Sequence, residues 1–321
     1  MKVIDTINNA INTGNSRFAF ELLPPLKGDG TDGVFRAVEN VIEFEPAYVN
    51  ITFHREGLKQ TKRSDGRVEW HKVRRRPGTV GIAAAIQHKY GIDAVPHLIC
   101  GGLSQYDIED YLIDMGFLGI ENVLALRGDC SQNEKMFLPH PNGHSHAVEL
   151  VRQISAMNRG EFVDGEVEAC HSSNFSIGVA GYPETHCDAM SPDDDLLHLK
   201  EKVDAGAEYI VTQMFFDNNR YFDFVDRCRA IGINVPVVAG LKPLVAARQV
   251  TSLPESFSIS IPEDLRKEVE SHGTDREKVK EIGIEWAVNQ ARQLKAAGVP
   301  VIHFYTMSRT EDIARIAKEV F

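Results

Sequence analysis

The sequence contains no run of about eighteen apolar residues, the length that a helix needs to cross a bilayer. Its first segment, MKVIDTINNAINTG, is amphipathic without a long apolar stretch, so we expect a docking helix and not a signal peptide. The five cysteines are far apart and form no C-x-x-C pair, a pattern typical of a reducing compartment and unfavourable for a zinc site. These absences predict a cytoplasmic protein with no membrane contact and no bound metal.

The sequence also lacks an excess of positive charge. Its 35 Lys and Arg residues are outnumbered by 46 Asp and Glu residues, which gives a net charge of −11. This balance argues against a nucleic acid or an anionic membrane as the partner. The one basic cluster, HKVRRR at residues 71–76, is interpreted as a solvated loop.

No glycine-rich G-x-G-x-x-G turn follows an early strand, which disfavours an open, doubly wound nucleotide-binding sheet. Eight short apolar runs alternate with helical patterns, and continuous apolar runs are typical of parallel strands buried on both faces. We therefore predict an α/β fold, a (β/α)8 TIM barrel, with the open sheet as the alternative. No linker divides the chain, so residues 1–321 are interpreted as one barrel domain. The predicted strands are residues 18–22, 47–52, 94–98, 123–127, 176–180, 209–213, 235–239 and 301–305.

Helix boundaries are marked by caps and glycines. A capping box places a Ser or Thr hydroxyl before the helix and a carboxylate three residues later, and glycine often ends a helix in the left-handed conformation. We also expect an N-terminal helix, and extra helices between strands seven and eight at about residues 262–271 and 275–297. The predicted boxes are Ser104 with Asp107, Ser191 with Asp194 and Ser308 with Glu311, and the predicted C-terminal glycines are Gly116, Gly206, Gly232 and Gly298.

Barrel proteins place their chemistry at the carboxyl ends of the strands, so polar groups there are candidates for the site. Strand four ends in Leu126-Arg127-Gly128-Asp129, which delivers a cation and a carboxylate together. Strand one ends in Glu21 between apolar neighbours, where burial would raise the pKa of the carboxyl and suit it to donate a proton. The alternative for Glu21 is an ion pair with a neighbouring Arg or Lys.

Three histidines near the predicted rim, His97, His186 and His303, raise a second possibility, a metal-dependent hydrolase. Such sites usually show closely spaced histidines, and these three are isolated in the sequence. A core or loop histidine is the simpler interpretation of His303. A non-catalytic barrel scaffold is the third possibility, although a scaffold would not need Glu21, Asp129 and Gln213 together.

Taken together and in order, the strand-tip motifs resemble the methylenetetrahydrofolate reductase family. The resemblance covers about residues 17–319 and looks like the bacterial single-domain form. It implies a (β/α)8 barrel that binds FAD, takes electrons from NADH or NADPH and reduces 5,10-methylenetetrahydrofolate to 5-methyltetrahydrofolate. It also implies a homo-oligomer. The motifs are FELLPP, HLIC, LRGD, GYPETH, DLLHLKEKVDAGA, TQMFFD and HFYTMSR.

The same resemblance implies roles for particular residues. Glu21 would be the general acid that opens the folate ring to an iminium, and Asp129 would lie near the flavin and stabilise that cation. Substrate contacts would come from Glu21, Thr52, Asp129, Gln213, Gln249 and Arg309. Cofactor contacts would come from Thr52, His97, Arg127, Gly128, Asp129, His146, Ala147, Ala180, Tyr182, His186, Asp195, His198 and Lys202.

Four positions depart from the enterobacterial pattern. His146 stands where a tyrosine near the adenine is common, and His198 and Glu201 replace Asn and Arg on the helix that contacts FAD. Leu253 stands where an aromatic ring shields the nicotinamide. These departures predict altered FAD and nicotinamide contacts.

Overall fold

The computed structural model describes residues 1–55, 57–129, 136–165 and 172–321. Residue 56 and the segments 130–135 and 166–171 lie outside the described residues, and Cys130 and Cys170 fall in those two segments. None of the helices within the described ranges is long and apolar enough to cross a bilayer.

Eight parallel strands close into a barrel, in the spatial order β1, β2, β5, β6, β7, β8, β9, β10 and back to β1. The predicted (β/α)8 barrel is therefore confirmed, and the open sheet is wrong. All eight predicted strands are present with ends shifted by two residues or fewer. Their bounds are β1 Arg17–Leu22, β2 Val49–Ile51, β5 Ala94–Ile99, β6 Asn122–Leu126, β7 Ser176–Gly181, β8 Tyr209–Thr212, β9 Val237–Leu241 and β10 Val301–Phe304.

Helices surround the barrel, and both extra helices predicted between the last two barrel strands are present as α9 and α10. A short 3-10 helix, Ile42–Phe44, precedes β2. The helix bounds are α1 Val3–Thr13, α2 Asp32–Glu39, α3 Thr79–Tyr90, α4 Gln105–Phe117, α5 Ala147–Asn158, α6 Pro192–Asp204, α7 Asn218–Ala230, α8 Gln249–Phe257, α9 Glu263–Ser271, α10 Arg276–Ala296 and α11 Thr310–Val320.

The predicted N-terminal helix covers one end of the barrel. Val3 and Ile7 of α1 are fully buried and pack with Tyr48 and Tyr209, which face the barrel interior. The backbone N–H of Val3 donates to the Asn122 side chain at the start of β6, over 2.7 Å. Because α1 closes the amino end of the strands, the carboxyl end is left for a ligand.

Two of the three predicted helix starts are correct. Ser104 and Asp107 form a full capping box, and the Ser191 hydroxyl accepts from the Asp194 N–H over 3.1 Å. The box at Ser308 is wrong, because α11 begins only at Thr310. The Ser308 hydroxyl is taken instead by the backbone of Leu23, from whose N–H it accepts over 3.1 Å.

Three of the four predicted C-terminal glycines follow their helices with positive φ, namely Gly206, Gly232 and Gly298. The prediction for Gly116 is wrong, since α4 continues to Phe117. The residue with the left-handed backbone there is Gly119, at φ 68°. The last buried residue of α4 is Met115, directly before Gly116, and the helix continues past Gly116 to the exposed Phe117.

An antiparallel hairpin that the sequence patterns did not predict follows β2. Its strands are β3 Gly57–Lys62 and β4 Val68–Val73, joined through a turn at Asp65-Gly66. The first half of the basic run at 71–76 therefore belongs to a strand, and the interpretation of the whole run as a loop is wrong. Most of the hairpin is exposed, including Trp70 at 61%. The hairpin side chains whose burial is described are exposed or half-buried, so burial imposes little apolar alternation on them, although Asp-Gly is a known hairpin signal.

Candidate functional site

The tip of β1 places Glu21 inside the mouth of the barrel. Ala19, two residues earlier, faces the barrel interior, and side chains alternate along a strand, so Glu21 faces the same way. Strand register aligns Ala19 with His303 and Gly240. Two residues further on, Glu21, Tyr305 and Lys242 reach the next level of the interior together. These three side chains therefore share one end of the cavity.

Glu21 is only 9% exposed, and burial raises the pKa of its carboxyl to about 7. The nearby Thr52 hydroxyl and the Lys242 ammonium oppose that rise but do not cancel it. No described residue forms an ion pair with Glu21, so the alternative of a neighbouring Arg or Lys salt bridge is wrong. The predicted pKa rise is confirmed, and its cause is the apolar surroundings of the strand tip.

Tyr305 lies beside Glu21, and its hydroxyl is anchored to the backbone of a neighbouring strand. Its hydroxyl donates to the Thr212 carbonyl at the end of β8 over 2.7 Å. A Cβ on Gly240 would lie 2.8 Å from the Tyr305 ring, so only glycine leaves room for this ring to cross β9. Burial, the Glu21 charge and the Tyr182 phenol all raise the pKa of Tyr305. Tyr305 is therefore a neutral hydrogen-bonding wall of the cavity.

The next strands add unpaired polar atoms. Nε2 of His97 in β5 is buried and has no hydrogen-bond partner, and the Thr52 hydroxyl after β2 is buried beside the Glu21 carboxyl. Burial lowers the pKa of His97 to about 3, so its ring is neutral. His303 is equally buried in the barrel, its pKa is also lowered to about 3, and both of its ring nitrogens lack a partner. His303 thus matches the predicted core histidine.

The loop after β6 presents the Arg-Gly-Asp sequence. Arg127 forms an ion pair with Asp188 over 2.6 Å, and its guanidinium lies 5.1 Å from the centre of the Phe137 ring. Gly128 has φ 84°, and a Cβ there would lie 3.1 Å from Ile99. Asp129 is exposed, and its negative charge opposes the lowering of the His54 pKa that burial and the Arg76 charge cause. This loop therefore carries charges of both signs at the rim.

The segment after β7 and helix α6 provides a second cation. Lys202 is half-buried and donates to the Ala180 carbonyl over 2.8 Å. Burial lowers the pKa of Lys202 to about 8, and the charge of Asp195 opposes that change. Asp195 also accepts from the His186 N–H over 2.9 Å.

Tyr182 connects this segment to the first part of the site. Its ring meets the His186 ring edge-on, with centres 4.6 Å apart. The charges of Asp195 and Asp129 add to the effect of burial in raising the pKa of Tyr182, and Tyr182 in turn acts on Tyr305 beside Glu21. Glu21 and Asp129 therefore lie at the same rim and not on opposite faces.

Three residues predicted to bind folate also lie at or near this rim. The backbone N–H of Gln213 donates to the Gly181 carbonyl over 2.8 Å. The side-chain oxygen of Gln213 accepts from the backbone N–H of Met214 over 3.0 Å. The side-chain oxygen of Gln249 accepts from the N–H groups of Val245 and Ala246 at the start of α8. Arg309 is exposed, and its charge lowers the pKa of Lys242. Gln249 thus already organises its own loop.

The remaining predicted cofactor residues lie on two helices. His146 and Ala147 begin α5, and the Cys100 thiol contacts both the Leu126 and His146 carbonyls, which places this helix start beside the β6 tip. His198 is exposed on α6, with Nε2 3.9 Å from an oxygen of Asp194.

The other two departures from the enterobacterial pattern have different surroundings. Glu201 is exposed on α6. Leu253 is buried with Met214, Phe216 and Leu244, in an apolar cluster formed mainly by residues from the loop after β8 through α10. Leu253 therefore serves the packing of the extra helices.

The sequence places Lys242 and Tyr305 at strand tips but predicts no role for either, and it does not identify Asp188. Lys242 and Tyr305 could be found because each directly follows a barrel strand, but their inward direction depends on strand register. The position of Asp188 in the site depends on the conformation of a loop, which the sequence patterns do not predict. Donor atoms of His186, Cys187 and Asp188 lie within 4.8 Å of one another and form the one possible metal-binding group among the described residues. Arg127 already binds the Asp188 carboxylate, which competes with a cation there.

Fold and site together define a class of protein, a (β/α)8 barrel that presents a buried acid and several cations at the carboxyl ends of its strands. The profile of the methylenetetrahydrofolate reductase family matches residues 6–320. The chain belongs to the methylenetetrahydrofolate reductase family, as the strand-tip motifs indicated.

Individual relatives agree with this assignment. Methylenetetrahydrofolate reductase (NADH) 1 of Arabidopsis thaliana is 31% identical over 317 residues, which cover 96% of this chain and 49% of the relative. The 5,10-methylenetetrahydrofolate reductase of Salmonella typhimurium is 29% identical over 300 residues, covering 93% and 88% respectively. The chain spans about half the length of the plant relatives.

A solved structure shares the fold. It is an uncharacterized protein from Clostridium thermocellum that binds two copies of 5-methyl-5,6,7,8-tetrahydrofolic acid, and it matches with a TM-score of 0.59. The match covers 98% of both chains at 14% identity, so it shows a common barrel architecture.

Proposed function

We propose that this chain reduces 5,10-methylenetetrahydrofolate to 5-methyltetrahydrofolate with FAD as cofactor and NADH or NADPH as the electron source. The observation that carries the proposal is the buried Glu21 carboxyl, with its pKa raised to about 7, at the same rim as Asp129. One barrel domain would carry the whole reaction, in two half-reactions that alternate at one site. We further propose a cytoplasmic homo-oligomer that binds neither nucleic acid nor membrane.

The residues at the rim fit a flavin cofactor. A flavin ring system presents hydrogen-bond donors and acceptors, and the buried Nε2 of His97 lacks a partner in the cavity, with the Thr52 hydroxyl nearby beside Glu21. Arg127 and Lys202 offer cations to a pyrophosphate, a role that suits them because no glycine-rich cradle is present. Gly128, Asp129, His146, Ala147, Ala180, Tyr182, His186, Asp195 and His198 would complete the FAD contacts.

When bound, FAD supplies the hydride chemistry, and the protein supplies position and charge. Glu21 would donate its proton to the ring nitrogen that leaves the bridging carbon. That nitrogen keeps the electron pair of the broken bond, and the lone pair of the other nitrogen forms the iminium. Asp129 would stabilise the resulting cation through its negative charge. Gln213 and Gln249 would orient the pterin through side-chain amides, and Arg309 would bind the acidic tail.

A metal-dependent hydrolase is the second candidate, because His186, Cys187 and Asp188 come close enough to share an ion. Two facts weaken it. The ion pair of Asp188 with Arg127 would have to break, and His97 and His303 lie inside the barrel instead of joining the group.

Two measurements on the purified protein test the proposal. First, its absorbance spectrum, or a titration with FAD, should show a bound flavin. Second, NADH or NADPH should bleach that flavin anaerobically, and methylenetetrahydrofolate should restore the colour. A colourless protein that ignores FAD but holds stoichiometric metal would favour the hydrolase. A protein that binds neither would favour a scaffold.

A further inference from the structure

We propose that Lys242 is a positioning residue for proton transfer, because its ammonium group shares the innermost level of the barrel mouth with Glu21 and sets how readily that acid releases its proton. The inference rests on the proposed role of Glu21. It concerns a residue to which neither the sequence motifs nor the family resemblance gave a role.

Strand register supports the placement. Phe20, Phe304 and Leu241 are aligned across β1, β10 and β9, and all three are fully buried on the outward side, among the residues that pack against the helices. The following residues, Glu21, Tyr305 and Lys242, therefore turn inward together. The N–H of Tyr305 donates to the Leu241 carbonyl over 2.9 Å, so the β9–β10 pairing continues to this level.

The residue that follows Lys242 reinforces its direction. Pro243 disfavours a helical backbone for the residue before it, so the chain stays extended past the end of β9. Lys242 consequently keeps the strand alternation and is half-buried. Lys242 forms no ion pair with any residue in the described part of the chain.

The electrostatic groups around the acid are few. Lys242 and the Thr52 hydroxyl both favour the ionised form of Glu21, while burial favours the neutral form. The neutral Tyr305 phenol lies on the same side, and Glu21 contributes to its raised pKa. Burial lowers the pKa of Lys242, the charge of Glu21 raises it, and Arg309 lowers it.

The directions of these pKa effects show what the loss of the Lys242 charge would do. Without its positive charge, the carboxylate that remains after proton donation would be left in an apolar cavity with only a hydroxyl beside it. The acid would then be protonated to a higher pH and would transfer its proton less readily. Lys242 thus keeps a deeply buried carboxyl acidic enough to act near neutral pH.

The test is a pH titration of the Glu21 carboxyl by carbon-13 NMR in protein labelled at glutamate, with the signal assigned from Glu21→Gln. Lys242→Met removes the charge and keeps the length, and Lys242→Arg keeps the charge. Lys267→Met, at an exposed position on α9 paired only with Glu263, is the matched control. In Lys242→Met the titration midpoint should rise by about one pH unit, with no change in the other two variants.

In Lys242→Met, the pH at which the rate of flavin reoxidation by methylenetetrahydrofolate falls off should move upward by the same amount. An unchanged carboxyl midpoint in Lys242→Met overturns the inference; should that variant not fold, Lys242→Gln is titrated under the same criterion. A shifted midpoint in a protein that never reoxidises with folate would support the effect of the Lys242 charge on Glu21 but reject the proposed function. The two failures are therefore separable.

Discussion

The two sides of the barrel mouth differ in the kind of charged group that they present. One side, which we call the acid side, is formed at the ends of β1, β2, β9 and β10 by Glu21, Thr52, Lys242 and Tyr305. Burial dominates there, and no described residue forms an ion pair with the carboxyl. On the other, the cation side, Arg127, Asp129, His186 and Lys202 follow β6 and β7 or lie on α6. There Asp129 is exposed, Arg127 is held by an ion pair of 2.6 Å, and Lys202 is half-buried and donates to the Ala180 carbonyl.

The difference teaches how one rim can serve two chemistries. A proton donor near neutral pH needs a carboxyl kept from water, because desolvation destabilises its charged form. A binding surface for an anionic cofactor needs cations that a ligand can reach, and buried charges would be costly without partners. Under the proposed function, the barrel would meet these two requirements with different strands, so each side can be tested separately.

Glu21→Gln should have the largest effect and should be confined to the acid side. Loss of a general acid typically slows a reaction by about 10²–10⁴-fold, so folate-dependent flavin reoxidation should fall by that factor. Flavin reduction by NADH or NADPH should stay within about twofold, because that step needs no proton from Glu21. Stopped-flow absorbance measures both steps, with Glu263→Gln at the exposed first residue of α9 as the control. Equal losses in both steps would contradict the assigned role.

The same substitution should change the pH dependence of stability. Folding raises the pKa of Glu21 from 4.5 to about 7, so its contribution is complete at low pH and is lost as pH rises through 7. The free energy of unfolding of the unsubstituted protein should therefore fall by roughly 3 kcal/mol more than that of Glu21→Gln between pH 4 and pH 8. Urea unfolding across that range measures the difference. Parallel curves for the two proteins would show that burial does not control this carboxyl.

Lys202→Met should break the cation side and leave the acid side intact. Losing one hydrogen bond from a charged group costs about 1.5–3 kcal/mol, so FAD affinity should fall by roughly 10–100-fold. Quenching of flavin fluorescence on binding gives the dissociation constant. Lys200→Met is the matched control, because Lys200 lies on the same helix but pairs with Asp204. Similar losses in both variants would mean that α6 charge in general, and not Lys202, holds the cofactor.

Asp129→Asn should have a smaller effect and should touch both sides. We expect about a tenfold slower folate step, equivalent to about 1.4 kcal/mol of transition-state stabilisation. The flavin midpoint potential should rise, because a negative charge near the ring disfavours its reduction. Redox titration and stopped flow measure the two effects. An unchanged potential would place Asp129 away from the flavin.

The barrel was largely predictable from sequence because its strands are buried on both faces and so appear as continuous apolar runs. The β3–β4 hairpin was missed for the converse reason, since its exposed faces impose no apolar pattern. Within the site, the apolar neighbours of Glu21 correctly indicated burial. Lys242 follows an equally clear strand, yet its proximity to Glu21 arises only from the alignment of β1, β10 and β9. The ion pair of Arg127 with Asp188 joins residues 61 positions apart and depends on the shape of a loop.

The decisive measurement is a crystal structure of the protein with FAD and 5-methyltetrahydrofolate bound. We predict an isoalloxazine ring stacked on the folate pterin within the barrel mouth, with Glu21 on the folate side, Asp129 near the flavin pyrimidine, and the pyrophosphate against Arg127 and Lys202. A flavin bound elsewhere, or a folate out of reach of the Glu21 carboxyl, would contradict the assignment of acid and cation sides to one shared cavity.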